Sequence, residues 1–288
     1  MSKKLNLLVA ERLRKYKIKN DRQRLNAGKE IVQELALLGL ARTDFFNRAS
    51  FHGGTALRIF YGLDRFSEDL DFCLQQPDPK FKLSSVLDPM CEEMRAWGLK
   101  VEAVDRSKAD RGVQKAFLKE SSLGSQLNLE VPLPKSQKFH IKLELDTNPP
   151  TGAQYADRLC DFPVDFFVLC HDLSSMFAGK LHALLYRGYP KGRDWYDFSM
   201  YLSRRAPVNL ELLRNAITQS NSNVLLKDSK SVNLTWLKQA IIAKIDQADF
   251  NQLKIDVEPF IEDQRIIALW SKDYFMQKVE NYYSSSQG

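Results

Sequence analysis

Apolar positions recur at helical spacing in the first quarter of the chain. Across residues 21–47 they alternate with charged residues, which predicts one long amphipathic helix or two short ones. A glycine pair at 53–54 interrupts this pattern. Residues 55–61 then predict a short helix that opens at the glycine pair and ends at Gly62, and residues 70–74 predict a strand.

The middle of the chain changes to the two-residue period of β-structure. After an amphipathic helix predicted at 84–97, residues 100–146 alternate apolar and polar positions in several short runs, which predicts antiparallel sheet. The clearest strand is 139–146, in which every second residue is apolar. One predicted face carries Ile141, Leu143 and Leu145, and the other carries Lys142, Glu144 and Asp146.

From about residue 172 the pattern is helical. The predicted helices are 174–186, 194–204, 209–219, 233–248 and 258–283, with a polar loop at 220–231. The pattern therefore predicts an α+β fold with a small mixed or antiparallel sheet flanked by helices. We expect residues 1–170 to form the sheet-bearing domain with its N-terminal helices, and residues 171–288 to form a helical domain.

Charge and composition narrow the class of protein. Lys and Arg number 42 against 36 Asp and Glu, a net charge of +6, which suits a polyanionic partner but also an ordinary solvated surface. Glu11 and Arg12 interrupt the short apolar N-terminal stretch, and no run approaches the roughly 18 apolar residues of a membrane span. We expect a cytoplasmic protein with no membrane partner. The four cysteines form no CxxC pair, so reduced, buried thiols are expected.

Two acidic residues mark the first candidate site. Asp69 and Asp71 are two residues apart in a predicted strand, so both side chains leave the same face while Leu70 and Phe72 point to the core. Adjacent carboxylates repel each other, and a divalent cation relieves that cost. Mg²⁺ in particular prefers one or two carboxylates together with substrate phosphate oxygens.

The glycine pair strengthens this interpretation. Gly53 and Gly54 leave backbone N–H groups at a helix N-terminus open to a phosphate, although a plain tight turn would also use glycine. Ser67 can place its hydroxyl on the same phosphates or cap a turn. Asp146, with Glu144 as the rival, is the candidate third carboxylate. An exposed strand face with no metal role explains those two acids equally well.

Further along, a lysine stands in a segment of apolar and small residues. Lys180 could neutralise a triphosphate, with Arg187 within helical reach, or it could be a surface lysine. Asp194 and Asp197 fall on one face of the next predicted helix. Asp194 could alternatively be only a helix N-cap.

Together these segments resemble a known family. The resemblance spans roughly residues 28–205 and rests on four motifs in order: Gly53-Gly54-Thr55-Ala56-Leu57-Arg58, Arg65-Phe66-Ser67-Glu68-Asp69-Leu70-Asp71-Phe72, Lys180-Leu181-His182-Ala183-Leu184 and Arg193-Asp194-Trp195-Tyr196-Asp197. The chain is similar to the AbiEii/MenT nucleotidyltransferase-like toxins of the polymerase-β-like nucleotidyltransferase superfamily.

That resemblance implies an activity and partners. Family members are toxins paired with a cognate antitoxin, and some transfer a nucleotide from an NTP to the 3′ acceptor end of tRNA. It assigns Ser67 with Asp69 and Asp71 to phosphate and metal, and Lys180 to the triphosphate. The acid of the last motif is Asp194, with Asp197 as the alternative. The cofactor implied is Mg²⁺, with Mn²⁺ as an alternative. Two competing interpretations remain: a nucleotidyltransferase that modifies a protein or small molecule, and a non-catalytic module of this fold that binds nucleic acid or a partner protein.

Overall fold

The chain folds into two compact units. The computed structural model describes residues 3–107, 112–120, 139–220 and 232–284. Unit 1 comprises Met1–Pro149 and Ala156–Cys170, and unit 2 comprises Pro150–Tyr155 and His171–Gly288. None of the described helices is both long and apolar enough to cross a membrane.

Local chemistry explains the start of one helix of unit 1 and the end of another. The helices of this unit are α1 Lys3–Arg14, α2 Asp21–Ala41, α3 Gly53–Tyr61 and α4 Ser84–Ala96. The side chain of Asn20 caps α2 by accepting the Gln23 N–H. Gly62 ends α3 in the left-handed region, at φ 60°, as the sequence predicts. The 21–47 segment is thus one long helix, followed by a short 3₁₀ turn at Phe45–Asn47.

A mixed sheet forms the centre of unit 1. Its seven strands have the order β3-β4-β5-β2-β1-β7-β6. Strand β2 runs antiparallel to β1 and parallel to β5, and β4 is antiparallel to both of its neighbours. The strands are β1 Ala49–His52, β2 Asp69–Leu74, β3 Glu102–Asp105, β4 Val113–Glu120, β5 Phe139–Asp146, β6 Tyr155–Cys160 and β7 Phe166–His171.

The two faces of β2 and β5 differ as the alternation predicts. Leu70 and Phe72 of β2 are buried, and so are the apolar residues of β5, including Leu143. Phe72 packs edge-on against Phe45 at a centroid distance of 5.0 Å, and such pairs add to the gain from apolar burial. The opposite face of these strands is left to the polar side chains.

Unit 2 is helical. Its helices are α5 Leu173–Tyr186, α6 Gly192–Ser203, α7 Leu210–Gln219, α8 Leu234–Gln247, α9 Phe250–Val257, α10 Arg265–Ala268 and α11 Lys272–Ser284. Side chains of Asp172, Asn209, Asn233 and Asp249 cap α5, α7, α8 and α9. The rings of Phe177 and Tyr201 stack at 4.4 Å between α5 and α6.

Helices α6 and α9 meet at a glycine. The Gly192 N–H donates to the Asp256 carboxylate at 2.7 Å. A Cβ atom at position 192 would overlap the backbone carbonyl group of Leu253. Only a residue without a side chain allows this approach.

The fold confirms the predicted class and corrects some elements. The prediction of one helix over 258–283 is wrong: a 3₁₀ turn at Glu258–Phe260, α10 and α11 replace it, because the backbone becomes extended at Ile261 and ends the first turn there. Helices α1 and α9 and strands β1, β6 and β7 were not predicted. The predicted loop at 220–231 falls almost wholly outside the described residues. All four cysteines are buried free thiols, as expected.

Candidate active site

The acidic face of β2 lies beside the polar face of β5. The parallel register pairs Asp69 with Lys142, Asp71 with Glu144, and Cys73 with Asp146. Two carboxylates of β2 and two of β5 therefore share one face of the sheet, as alternation predicts. The register places Glu144, not Asp146, directly beside Asp71.

The glycine turn abuts this face. Gly53 has φ 80°, which L side chains rarely adopt, and a Cβ added there would overlap the Asp71 carboxylate. A Cβ on Gly54 would lie 2.8 Å from the Ser67 hydroxyl oxygen and 2.7 Å from a guanidinium nitrogen of Arg65. The structure thus brings the glycine pair, Ser67 and Asp71 together, as the motif spacing suggested.

Contacts from α2 and α3 hold the loop that carries Ser67. The Gln33 side-chain amide donates to the Ser67 carbonyl at 3.2 Å, and Lys29 pairs with Glu68 at 2.9 Å. The Thr55 hydroxyl donates to the Asp69 carbonyl. Gln33 and Thr55 are fully buried, so these contacts are shielded from water.

Burial and like charge make the ionised form of Asp69 costly. Burial raises the pKa of Asp69, the charge of Asp71 raises it further, and Lys142 opposes both. This is the electrostatic condition that a bound cation relieves.

The two acids of β5 lie in different surroundings. Glu144 pairs with Lys115 and Lys142, each at 2.7 Å. Burial alone would raise the pKa of Glu144, but these two lysines outweigh it and lower that pKa. Burial raises the pKa of Asp146, against the opposing Asn148 N–H and His52. A cavity of about 490 Å³ is lined by both acids together with Asp71 and His52.

The two carboxylates of β2, Asp69 and Asp71, are suitable ligands for a hard cation. Across the described ranges, no group of three or more His, Cys, Asp or Glu side chains is arranged to hold a metal ion. Two adjacent carboxylates still match Mg²⁺, which takes its remaining ligands from phosphate and water.

Unit 2 holds a separate charged cluster. Lys180 Nζ lies 2.7 Å from Asp194 Oδ1 and 2.8 Å from Asp197 Oδ2, and Arg187 Nη1 lies 2.9 Å from Asp194 Oδ2. Both acids are buried, and the Lys180 side chain is only 13% exposed. Lys180 is therefore not a surface lysine. Asp194 is not the N-cap of α6 either, because Lys191 occupies that position.

Several site neighbours were missed from the sequence. His52 precedes the glycine pair and stands opposite Asp71 in the register, while Lys115 reaches Glu144 from β4. Alternation along 113–119 places Lys115 on the polar face, which was the available signal. Its partner strand could not be read from that alternation.

Known proteins resemble this chain in family and fold. Residues 35–281 match the family model described as nucleotidyl transferase AbiEii toxin, type IV toxin-antitoxin system. No curated protein matches the sequence.

Solved structures resemble it over most of its length. MenT4, a nucleotidyltransferase toxin from Mycobacterium tuberculosis H37Rv, superposes with a TM-score of 0.58 at 18% identity, over 96% of this chain and 89% of that one. A candidate nucleotidyltransferase from H. pylori superposes with a TM-score of 0.50 at 16% identity, over 90% of this chain and 92% of that one. At these identities the likeness shows the fold. The family match covers most of the sequence, and the chain therefore belongs to the AbiEii family of nucleotidyltransferase toxins of type IV toxin-antitoxin systems.

Proposed function

We propose that this protein transfers a nucleoside monophosphate from an NTP to RNA, at the 3′ acceptor end of tRNA. The observation that carries the proposal is the junction of β1, α3 and β2. There the glycine pair and the Ser67 hydroxyl adjoin the Asp69-Asp71 pair. An anion site and a cation site in contact are what a metal-bound triphosphate requires.

Residues of unit 1 are proposed to bind the phosphates. The first N–H groups of α3, at Gly53 and Gly54, have no partner within their own helix and point to its N-terminal end. Ser67 adds a hydroxyl donor beside Gly54. Asp69 and Asp71 would hold Mg²⁺, or Mn²⁺ as the alternative. The bound ion would neutralise phosphate charge and stabilise the attacking and leaving oxygens.

Residues of unit 2 are proposed to serve the same reaction. Lys180 and Arg187 would contact the triphosphate. Asp194, which bonds both cations, would accept the proton of the attacking RNA hydroxyl, with Asp197 as the alternative acid. The net charge of +6 favours an RNA acceptor over a neutral small molecule.

Asp146 remains the proposed third carboxylate, with Glu144 as its rival. The strand register favours Glu144, because Glu144 lies beside Asp71. The charge favours Asp146, because two lysines already pair with Glu144. Titrating Mg²⁺ against activity in Asp146→Asn and Glu144→Gln distinguishes them. The variant that needs about tenfold more Mg²⁺ identifies the acid, and an unchanged requirement in both removes the third ligand from the proposal.

The decisive experiment follows label from each α-³²P NTP into total RNA in the presence of Mg²⁺. We expect RNase-sensitive, protease-resistant label at the 3′ end of tRNA with the wild-type protein. Asp69→Ala should abolish it, by a factor of about 10³ or more, because the phosphate charge loses its stabilisation. Asp88→Ala, an exposed acid on α4, is the matched control and should remain fully active.

Four outcomes would contradict the proposal. Labelling by Asp69→Ala at the wild-type rate would remove the assigned mechanism. Protease-sensitive label would identify a protein acceptor, and label only in small molecules would exclude RNA. Absence of any label with wild-type protein would favour a non-catalytic binding module.

A further inference from the structure

The segment joining α5 and α6 exposes an aromatic ring among cations. Tyr189 is 60% exposed, whereas most aromatic side chains of unit 2 are buried. The Arg187 guanidinium carbon lies 5.9 Å from its ring centroid, and Lys191 Nζ lies 5.4 Å from it. An exposed aromatic ring beside cations is an arrangement on which nucleobases stack.

A cavity opens beside this ring. Its volume is about 150 Å³, and its lining includes Tyr189, Lys191, the buried Trp195 and Lys244 of α8. A cavity of that size holds one six-membered aromatic ring. It therefore has room for a single base.

The charge on the cavity lining is positive. Asp194 also lines it, but that carboxylate is already neutralised by Lys180 and Arg187. Among residues 3–107, 112–120, 139–220 and 232–284, neither Lys191 nor Lys244 has a carboxylate partner. Two cations are thus left to meet an anionic ligand.

The residues that line this cavity match the chemistry of a nucleic-acid strand. Lys191 stands at the start of α6 and Lys244 in the last turn of α8, so the cations come from separate segments. A triphosphate concentrates its charge in one place, whereas a strand carries one charge per nucleotide. A base with its neighbouring phosphates offers one stacking ring and separate single charges, which match the ring and the two lysines of this cavity.

We propose that this cavity binds the unpaired end of the RNA acceptor. One base stacks on Tyr189, and the adjoining phosphates contact Lys191 and Lys244. Arg187 links the stacked base to Asp194, because it contacts both the ring and the carboxylate. This inference rests on the proposed function for its acceptor, but Tyr189, Lys191 and Lys244 lie outside the residues assigned to the transfer reaction.

Fluorescence anisotropy with a fluorescein-labelled single-stranded RNA tests the assignment. We expect Tyr189→Ala to raise the dissociation constant about tenfold, and Tyr189→Phe to leave it within about twofold, because the ring is retained. The double variant Lys191→Ala/Lys244→Ala should bind RNA more weakly. Its plot of log affinity against log salt concentration should have a slope that corresponds to roughly two fewer released ions. None of these changes should alter the KM for NTP.

A matched control lies elsewhere in unit 2. Lys278 Nζ lies 5.3 Å from the ring centroid of Tyr274, a similar pair that does not line the cavity. Lys278→Ala should bind RNA like the wild type. A duplex RNA without unpaired ends should bind equally to wild type and Tyr189→Ala.

Specific results would overturn the assignment. One is an RNA affinity of Tyr189→Ala equal to that of the wild type, and another is a loss of RNA affinity in Lys278→Ala as large as that in Tyr189→Ala. A third is weaker duplex binding by Tyr189→Ala, and a fourth is a raised KM for NTP with unchanged RNA binding. The last result would identify an NTP base site instead. If the wild-type protein labels RNA but Tyr189→Ala binds RNA with unchanged affinity, this inference alone is refuted. If RNA binding depends on Tyr189 but the RNA never receives label, the proposed function alone is refuted.

Discussion

The two charged clusters of this protein are built on opposite electrostatic principles. On the sheet of unit 1, Asp69 and Asp71 place like charges side by side, and burial raises the pKa of Asp69. In unit 2, two buried acids, Asp194 and Asp197, are bonded to Lys180. Repulsion and burial make the ionised first cluster unfavourable until a cation binds, whereas the charges of the second cluster balance one another. Removing a charge should therefore stabilise one cluster and destabilise the other.

The largest expected effect is on the neutral cluster. Lys180→Met should lower the free energy of unfolding of unit 2 by about 3 kcal/mol, because it leaves two buried carboxylates without their lysine. Urea unfolding followed by circular dichroism measures this. Lys238→Met, which removes a more exposed pair with Glu280, should cost less than about 1 kcal/mol.

A second substitution sharpens this test. Adding Asp197→Asn to Lys180→Met should restore part of the lost stability without restoring transfer. If the double variant is less stable than the single one, the cluster is not held by charge balance.

The glycines beside the two clusters give the next largest contrast. Gly53→Ala should lower stability by about 2 kcal/mol and reduce activity, because φ is 80° and the new methyl group overlaps Asp71. Gly179→Ala, next to Lys180, meets no atom within 4 Å and should raise stability by about 0.5–1 kcal/mol. Thermal melts and transfer rates measure both. Equal effects at the two positions would refute the steric account.

The smallest effect has the opposite sign to that at Lys180. Asp69→Asn should raise stability by about 1 kcal/mol at neutral pH in EDTA, while it abolishes transfer. The pKa of Asp69 is higher in the folded protein, so ionisation costs stability as the pH rises through that pKa. The gain from Asn should therefore vanish below about pH 4, where the carboxyl is protonated in both states.

Melting curves across pH 3.5–7.5 test the sign. Asp88→Asn, at an exposed position of α4, should show no such gain. A neutral-pH loss of stability in Asp69→Asn would mean that its charge is already compensated by the protein.

Sequence patterns predicted the parts of this site that depend on local period. Alternation assigned both faces of β2 and β5, and the glycine pair located the start of α3. The same reasoning failed at 258–283, where apolar spacing suggests a helix but the extended backbone at Ile261 divides the segment. Short strands such as β1 carry too few residues to show a period.

Pairings between distant segments were beyond sequence reasoning. The choice between Glu144 and Asp146 depends on the register between β2 and β5, which alternation does not set. The bonds of Lys180 to both Asp194 and Asp197 likewise depend on how α5 packs on α6. Helical spacing placed the two acids on one face, but only packing brought the lysine to them.

The close contact at Gly192 limits which substitutions this sequence can accept. Gly192 precedes Arg193 and Asp194, and any side chain there would overlap the backbone of Leu253. Position 192 is therefore closed to substitution for reasons of shape alone. Invariance of this glycine among descendants of the chain would record the contact between α6 and α9, and it would say nothing about whether the neighbouring acid still performs chemistry.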